Sequence, residues 1–269
     1  MIIWLASYPK SGNTWVRAFL TNYFSNNSEN IFKNLQEIET FPNKKYFEGI
    51  ANIDLIKKNK LEIFRYYIAA QEKINLNNKI NIIKTHNFAG SINGFPFSDL
   101  NNTCGFIYIV RDPRSVLVSY SHYSQISFQE TLKSMLNQNL ISVSNEIPEA
   151  RLDWKTHVKS WLNNNWPKIL IKYEDLHEDP FKYFSQILSF INRFKKIEIN
   201  PDKINNSIKK CSFKNLSDLE KIDGFEEKNV NTKFFRKGKI DEWKEVLPKN
   251  LVKEIQDNFQ DEMKALGYL

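Results

Sequence analysis

The densest group of residues able to do chemistry stands at the start of the chain, in Ser7-Tyr8-Pro9-Lys10-Ser11-Gly12-Asn13-Thr14-Trp15. It follows an apolar run, residues 1–6, and leads into Trp15, Ala18, Phe19, Tyr23 and Phe24 at helical spacing. Pro9 and Gly12 punctuate the turn between the two. The spacing predicts strand, turn and helix, with the N–H groups of Ser11, Gly12, Asn13 and Thr14 at a helix N-terminus, where unpaired donors attract anions. The P-loop pattern of Gly, four residues, then Gly-Lys-Ser/Thr is met only in part. Gly12 and Thr14 fit its end, but Ser7 stands where the first Gly belongs and Asn13 where the Lys belongs. The cation has moved to Lys10. That disfavours an ordinary ATP loop and leaves two readings open: a loop for another phosphorylated nucleotide, or a turn that binds nothing.

The elements that must position this group follow a repeating order. Residues 79–85 read as a second strand, and Lys84 and His86, two residues apart, point the same way if the extended backbone persists. Residues 105–110 read as a third strand. There Asp112-Pro113 repeats the opening logic, an N-cap followed by Pro at the first helical position. Residues 169–173 read as a fourth strand. Helices are expected over 54–76, 128–140, 152–162 and 180–194, and Trp154, Val158, Trp161 and Leu162 make one apolar face. A short helix over 201–210 precedes a polar surface loop, 217–233, of the length often found in lids. Phe234-Phe235-Arg236-Lys237-Gly238-Lys239 adds a basic turn, and a last helix carries Leu247, Leu251, Ile255, Phe259 and Met263. This βα alternation predicts one α/β domain over 1–269, with a P-loop-like central parallel sheet, helices on both faces and a ligand site at the carboxyl ends of the strands.

Composition narrows the ligand. With 38 basic and 31 acidic residues the formal charge is +7, which favours anionic ligands. No Lys/Arg tract interleaved with aromatics points to nucleic acid. Cys104 and Cys211 stand alone, without the paired spacing of a zinc site or a disulfide framework, and suit a reducing compartment. The apolar start lacks the basic and small-residue flanks of a signal peptide, and no stretch approaches a transmembrane length. The expectation is a cytoplasmic protein with no metal. Asn-rich patches at Asn26-Asn27 and Asn77-Asn78 read as loops.

Four separated segments, in order, resemble the sulfotransferases that use 3′-phosphoadenosine 5′-phosphosulfate (PAPS), of the cytosolic type and its bacterial relatives. Tyr8-Pro9-Lys10-Ser11-Gly12-Asn13-Thr14-Trp15 is similar to that family's 5′-phosphosulfate loop, and Lys84-Thr85-His86 to its catalytic strand end. Tyr108-Ile109-Val110-Arg111-Asp112-Pro113-Arg114 through Ser119-Tyr120 is similar to its 3′-phosphate motif, and Phe235-Arg236-Lys237-Gly238 through Trp243-Lys244 to its late cofactor loop. Tyr173-Glu174-Asp175-Leu176 and Ser212-Phe213-Lys214 add weaker matches. Where the family usually reads Gly-Asp-Trp, this chain has Asp241-Glu242-Trp243.

The resemblance implies transfer of a sulfuryl group from PAPS to an acceptor hydroxyl or amine, leaving 3′-phosphoadenosine 5′-phosphate (PAP). Lys10 would neutralise charge on the leaving phosphate, the N–H groups of Ser11, Gly12, Asn13 and Thr14 would hold that phosphate, and Lys84 would contact the sulfonate. His86 would take the acceptor's proton. Arg111 and Ser119 would grip the 3′-phosphate, and Arg236, Lys237 and Gly238 would close over it. Trp15 and Phe213 would sandwich the adenine with Tyr173 nearby. His122, His157 and His177 lack such company and are read as structural. Two alternatives stay open: a P-loop kinase or other nucleotide-binding protein, and a catalytically inactive nucleotide-binding module. The class of acceptor and the oligomeric state are not legible.

Overall fold

A computed structural model describes residues 1–25, 30–52, 59–144, 146–227 and 232–269. The Asn26-Asn27 patch, the first part of the 54–76 helical region and positions 228–231 of the expected loop lie outside the described residues.

Four parallel strands form the central sheet: β1 (Ile2–Ser7), β2 (Asn81–Thr85), β3 (Thr103–Val110) and β4 (Lys168–Lys172), in the spatial order β2-β1-β3-β4. The pleat sends alternate side chains of β1 to opposite faces. Ile2, Trp4 and Ala6 join one apolar cluster with Phe106, Tyr108 and Val110 of β3, whereas Ile3 and Leu5 join a second with Ile107 and Ile109. Burial on both faces explains why β1 reads as a continuous apolar run rather than an alternating one.

Helices cover both sides. On one face α1 (Asn13–Phe24) contributes Val16, Phe19, Leu20 and Tyr23, next to Phe184, Ile187, Leu188 and Ile191 of a helix over Pro180–Asn192. On the other, α2 (Pro113–Ser124) contributes Val116, Leu117 and Val118, and α3 (Trp154–Leu162) contributes Trp154, Val158 and Trp161. Asp112 caps α2, its side chain accepting from the Arg114 N–H with Pro113 at the first turn, and Asp153 caps α3 by accepting from Thr156. Trp161 is fully buried and its indole N–H donates to the Asn87 carbonyl at 2.9 Å. Truncating it to Ala would cost about 3–5 kcal/mol, from lost burial of the ring together with the cavity left behind.

The order of strands fixes the ligand site. The chain steps from β1 to one side, β2, then returns across β1 to β3, so the crevice at the carboxyl ends of β1 and β3 is a topological switch point. Ala6 pairs with Thr85 and Ser7 with Ile109. The register therefore brings the turn after Ser7, His86 after Thr85, and Arg111 after Val110 to one rim.

Several expected elements differ. Residues 217–223 are helical rather than loop: α5 (Phe213–Asp223) starts at Ser212, whose hydroxyl accepts from the Asn215 N–H, and buries Leu216 and Glu220 one turn apart. Glu220 falls in the stretch expected to be a polar surface loop, yet its carboxylate accepts the N–H groups of Phe234 and Phe235, so its burial serves the basic turn. The helix expected over 128–140 stops at Met135, and an antiparallel hairpin, Ile141–Ser144 with Ile147–Ala150, follows. Tyr173 is not the end of a strand; it opens α4 (Tyr173–Glu178). The stretch 87–100 holds a two-residue hairpin, and the final helix breaks at Phe259 into Lys249–Asn258 and Gln260–Ala265. The segment before Tyr67–Asn75 is a tighter helical turn, Lys60–Tyr66.

Candidate active site

A cavity of about 820 Å³ opens at that rim. Its lining includes Lys10, Gly12, Asn13, Thr14, Trp15, Lys84, His86, Arg111, Ser119, Tyr173, Phe213, Arg236, Lys237 and Gly238, which are all of the residues singled out in the sequence except Ser11. Ser11 lies beneath the surface, fully buried, and its hydroxyl has no partner.

The first turn is built for an anion. Gly12 adopts φ +103°, and a Cβ there would stand 2.4 Å from Cδ2 of Tyr173, so only glycine lets the turn pass beneath that ring. The N–H groups of Ser11, Gly12, Asn13 and Thr14 have no backbone acceptor among the described residues. The Asn13 side chain faces away from the cavity rim. Its amide donates to the Leu5 carbonyl at 3.1 Å and to Ser7 Oγ at 3.2 Å, anchoring the turn to β1. Four donors at a helix start, with the buried Ser11 hydroxyl left unpartnered, suit a phosphate oxygen cluster.

Lys10 sits inside an aromatic enclosure. Its Nζ lies 3.7 Å from the ring centroid of Phe234 and 4.2 Å from that of Tyr123. Burial, with the Arg111 charge adding to it, lowers its pKa to about 7. An anion arriving beside it would restore the proton. Arg111 is tethered by main chain: it donates to the Lys10 carbonyl at 3.2 Å and the Lys239 carbonyl at 3.0 Å, and its guanidinium lies 4.3 Å from the Tyr173 ring centroid. Its Nε is buried and unpartnered. These bonds tie the first turn, the end of β3 and the late basic turn together.

His86 is held on both of its polar sides. Its main-chain N–H donates to Glu149 Oε1 at 3.0 Å. Nδ1 lies 2.7 Å from the Ser7 carbonyl, an oxygen that only accepts, so Nδ1 carries the proton and Nε2 keeps its lone pair. Burial, and next the Lys84 charge, hold its pKa well below the ordinary imidazole value. Lys84 lines the same wall, and burial lowers its pKa too, against the pull of Glu227.

Four residues that hold or line the site were not visible in the sequence. Glu227 accepts from Arg17, from Thr14 Oγ1 at 3.5 Å, and lies 4.0 Å from Lys84 Nζ. Burial would raise its pKa, but Lys84 and Arg17 outweigh that and hold it at about 2. Glu242 accepts from Arg236 and lies 2.8 Å from Lys237 Nζ. Burial is again outweighed, here by the hydrogen bonds of Arg236 and Lys237, and its pKa falls to about 2. Glu149 and Arg151 lie on and just beyond the hairpin strand beside His86. Their partners are more than 30 positions away in sequence, so no local pattern marks them. His177 and Tyr120 also line the cavity, whereas His157 is fully buried behind it, with Nε2 3.2 Å from the His86 carbonyl. Phe213 packs on the late turn, where a Cβ on Gly238 (φ +67°) would stand 2.6 Å from its ring.

Comparison with known proteins turns this geometry into a family. The model of the sulfotransferase domain matches residues 2–267. The chain belongs to the sulfotransferases. Flavonol 3-sulfotransferase of Flaveria bidentis is 28% identical over 98% of this chain and 82% of its own length, and cytosolic sulfotransferase 17 of Arabidopsis thaliana 25% identical over 98% and 75%. Among solved structures, a mouse sulfotransferase complexed with PAP superposes with a TM-score of 0.64 at 19% identity, covering 97% of this chain and 83% of that one. A retinol dehydratase with androsterone and PAP gives 0.62 at 17%, covering 98% and 80%. The expected α/β fold is the sulfotransferase fold. Among the described residues no group of three or more metal-binding side chains occurs and no helix is long and apolar enough to cross a membrane.

Proposed function

We propose that this sulfotransferase takes PAPS as its donor, releases PAP, and uses His86 as general base toward an acceptor hydroxyl or amine. The observation that carries the reading is the His86 tautomer: with Nδ1 committed to the Ser7 carbonyl at 2.7 Å, Nε2 is a neutral acceptor on a wall shared with Lys84. The fit to the donor rests on the empty hydrogen-bonding capacity of the first turn and on the unpartnered Arg111 Nε. Relatives point the same way, since two solved neighbours hold PAP.

In this reading the acceptor O–H gives its proton to His86 Nε2 while its oxygen bonds to sulfur, and the bond from sulfur to the 5′-phosphate oxygen breaks with the electron pair leaving on that oxygen. Lys10 and the N–H groups of Ser11, Gly12, Asn13 and Thr14 take up the charge that develops there. Lys84 neutralises the sulfonate. Arg111 with Ser119, and Arg236, Lys237 and Gly238 from the late turn, hold the 3′-phosphate, while Trp15, Tyr173 and Phe213 flank the adenine. No metal has a place in this scheme, because lysine and main-chain N–H groups supply the charge stabilisation. The lowered pKa of His86 places the acid limb of the pH–rate profile below the ordinary imidazole value, so kcat/KM for the acceptor, measured at saturating donor, should hold as pH falls from 8 to 6.5.

His86→Ala decides between an enzyme and an inactive binding module. A general base should cost roughly a hundredfold or more in kcat, with PAP affinity by calorimetry kept. Turnover equal to that of the unmodified protein would overturn the assignment. A kinase reading predicts MgATP binding without PAP binding in the same instrument.

A further inference from the structure

Arg151, like Lys10 and Arg111, is a cavity cation without an ion-pair partner among the described residues, but it lies outside both basic turns. Lys84 faces Glu227, Arg236 and Lys237 share Glu242, Arg111 is tethered to two carbonyls, and Lys10 lies against two rings. Arg151 lines the cavity, donates through Nη1 to the Tyr120 hydroxyl at 2.5 Å, and keeps a buried, unpartnered Nε. No carboxylate lies within ion-pair distance of it among the described residues. Arginine stays charged at every working pH. A guanidinium in a cavity wall without an ion-pair partner is set up for a charged ligand.

Its place in the fold says which ligand. Arg151 directly follows the strand Ile147–Ala150. Ala150 accepts the Phe88 N–H at 2.8 Å and donates to Asn87 Oδ1 at 3.0 Å, and Glu149 holds the His86 N–H. Arg151 is thereby fastened to the segment that carries His86. Its charge bears on Glu149, whose carboxylate accepts the His86 N–H, and on His86, Tyr8 and Tyr123. Tyr8, almost fully buried, likewise has an unpartnered hydroxyl. Tyr120, Tyr123 and Val143 wall the same part of the cavity with ring and aliphatic surface.

We propose that the acceptor is an anionic aryl alcohol: its carboxylate, or another anionic group of that size, binds Arg151, its ring lies against Tyr120 and Tyr123, and its hydroxyl faces His86. This rests on the sulfotransferase reading and names the substrate class for it. The charge has a reason in the reaction. An anionic acceptor must approach a sulfonate that is itself anionic, and a fixed guanidinium on the acceptor side offsets that repulsion. Arg151 would then be a specificity-determining residue rather than a catalytic one.

The test uses labelled PAPS and two matched series, 4-hydroxybenzoate, 4-hydroxyphenylacetate and 3-(4-hydroxyphenyl)propionate against their methyl esters. The measured quantity is the ratio of kcat/KM for acid over ester. In the unmodified protein at least one acid should exceed its ester by tenfold or more. Arg151→Gln should bring that ratio down by tenfold or more, and Arg151→Lys should restore part of it. PAP affinity by calorimetry reports folding and the donor site separately. A protein that binds PAP but prefers the esters, turns over neither series, or keeps its ratio in Arg151→Gln overturns the anionic acceptor and leaves the sulfotransferase reading standing. Loss of PAP binding in the unmodified protein would instead strike the donor assignment.

Discussion

The two basic turns that border the cavity use their charges in opposite ways. The first, around Lys10, is made from main-chain donors and cations that no carboxylate pairs directly: Lys10 lies against Phe234 and Tyr123, Arg111 is held by two carbonyl oxygens, and Glu227 reaches the turn only at the Thr14 hydroxyl, 3.5 Å away. The late one, around Arg236, spends its cations internally, since both Arg236 and Lys237 converge on Glu242, whose side chain is 8% exposed. The first turn therefore meets an anion with its charge available. The late turn must give up or share an existing ion pair to do so. A basic motif in a sequence is a count of charges, and only the partners reveal how many are free.

The contrast is broken most directly at Arg111. In Arg111→Met the shared tether between the two turns is cut, two carbonyls lose their donor, and a charged contact to the ligand is lost. A hydrogen bond to a charged group is worth about 1.5–3 kcal/mol, so PAP affinity should fall roughly ten- to hundredfold or more. Calorimetry with PAP and with adenosine 5′-phosphate separates the causes. A loss confined to PAP marks the 3′-phosphate, and an equal loss for both marks collapse of the tether.

Next in size is the pH response of the first turn. Lys10 is held at about 7 in the free protein by burial and by Arg111, and an anion beside it favours the protonated form. As pH rises above 7 the free protein loses that proton, and binding must recover it. PAP affinity should drop by up to about tenfold per pH unit until the pKa of the complex is reached. Proton uptake at pH 8, seen as a dependence of the calorimetric heat on buffer ionisation enthalpy, checks the sign, and Lys10→Met should flatten the profile. The same shift acts on stability. The unfolded chain, with its lysine at the ordinary value, binds the proton more tightly between pH 7 and about 10, so this group's contribution to stability rises with pH across that window.

The unequal use of charge also explains what the sequence did and did not disclose. The first turn is local. Residues 2–7 fill both sheet faces, Gly12 carries the left-handed turn, and α1 begins at Asn13, all within one short segment whose pattern is readable. Arg111 after an apolar strand and the Asp112-Pro113 helix start are local in the same way. What escaped was set by distant partners. Glu227 gains meaning from Arg17, Glu149 from His86, and Glu220 from the N–H groups of Phe234 and Phe235. The helix over Phe213–Asp223 was missed because its buried positions include that glutamate, which breaks the apolar period. The hairpin over 141–150 was missed because each of its strands is four residues long and pairs only with the other.

A smaller effect is expected at Arg236. Because Glu242 already offsets its charge, Arg236→Gln removes a ligand contact while releasing a carboxylate from one of its two partners. PAP affinity should fall by roughly three- to tenfold, less than for Arg111→Met, since half-screened, partly exposed pairs contribute about 1 kcal/mol or less. A loss equal to that of Arg111→Met would remove the distinction between the two turns.

The smallest and most diagnostic change is Glu242→Gln, because the two turns predict opposite signs for losing an acidic neighbour. If Arg236 and Lys237 are held back by Glu242, neutralising it frees both for phosphate, and PAP should bind tighter by roughly threefold at low salt, the gain shrinking as salt screens the phosphate contacts. The cost appears in the free protein: two cations lose their shared partner, and thermal unfolding without ligand should start at a lower temperature. The two effects pull apart with PAP concentration, since a ligand that binds only the folded state stabilises it by an amount that grows with its affinity. A Glu242→Gln protein less stable than its parent without PAP, but with the deficit narrowing as PAP rises, would show that Glu242 competes with the ligand for the same two side chains. A deficit that stays constant, with affinity unchanged, would mean that the pair is only structural and that the late turn grips the nucleotide through its backbone at Gly238.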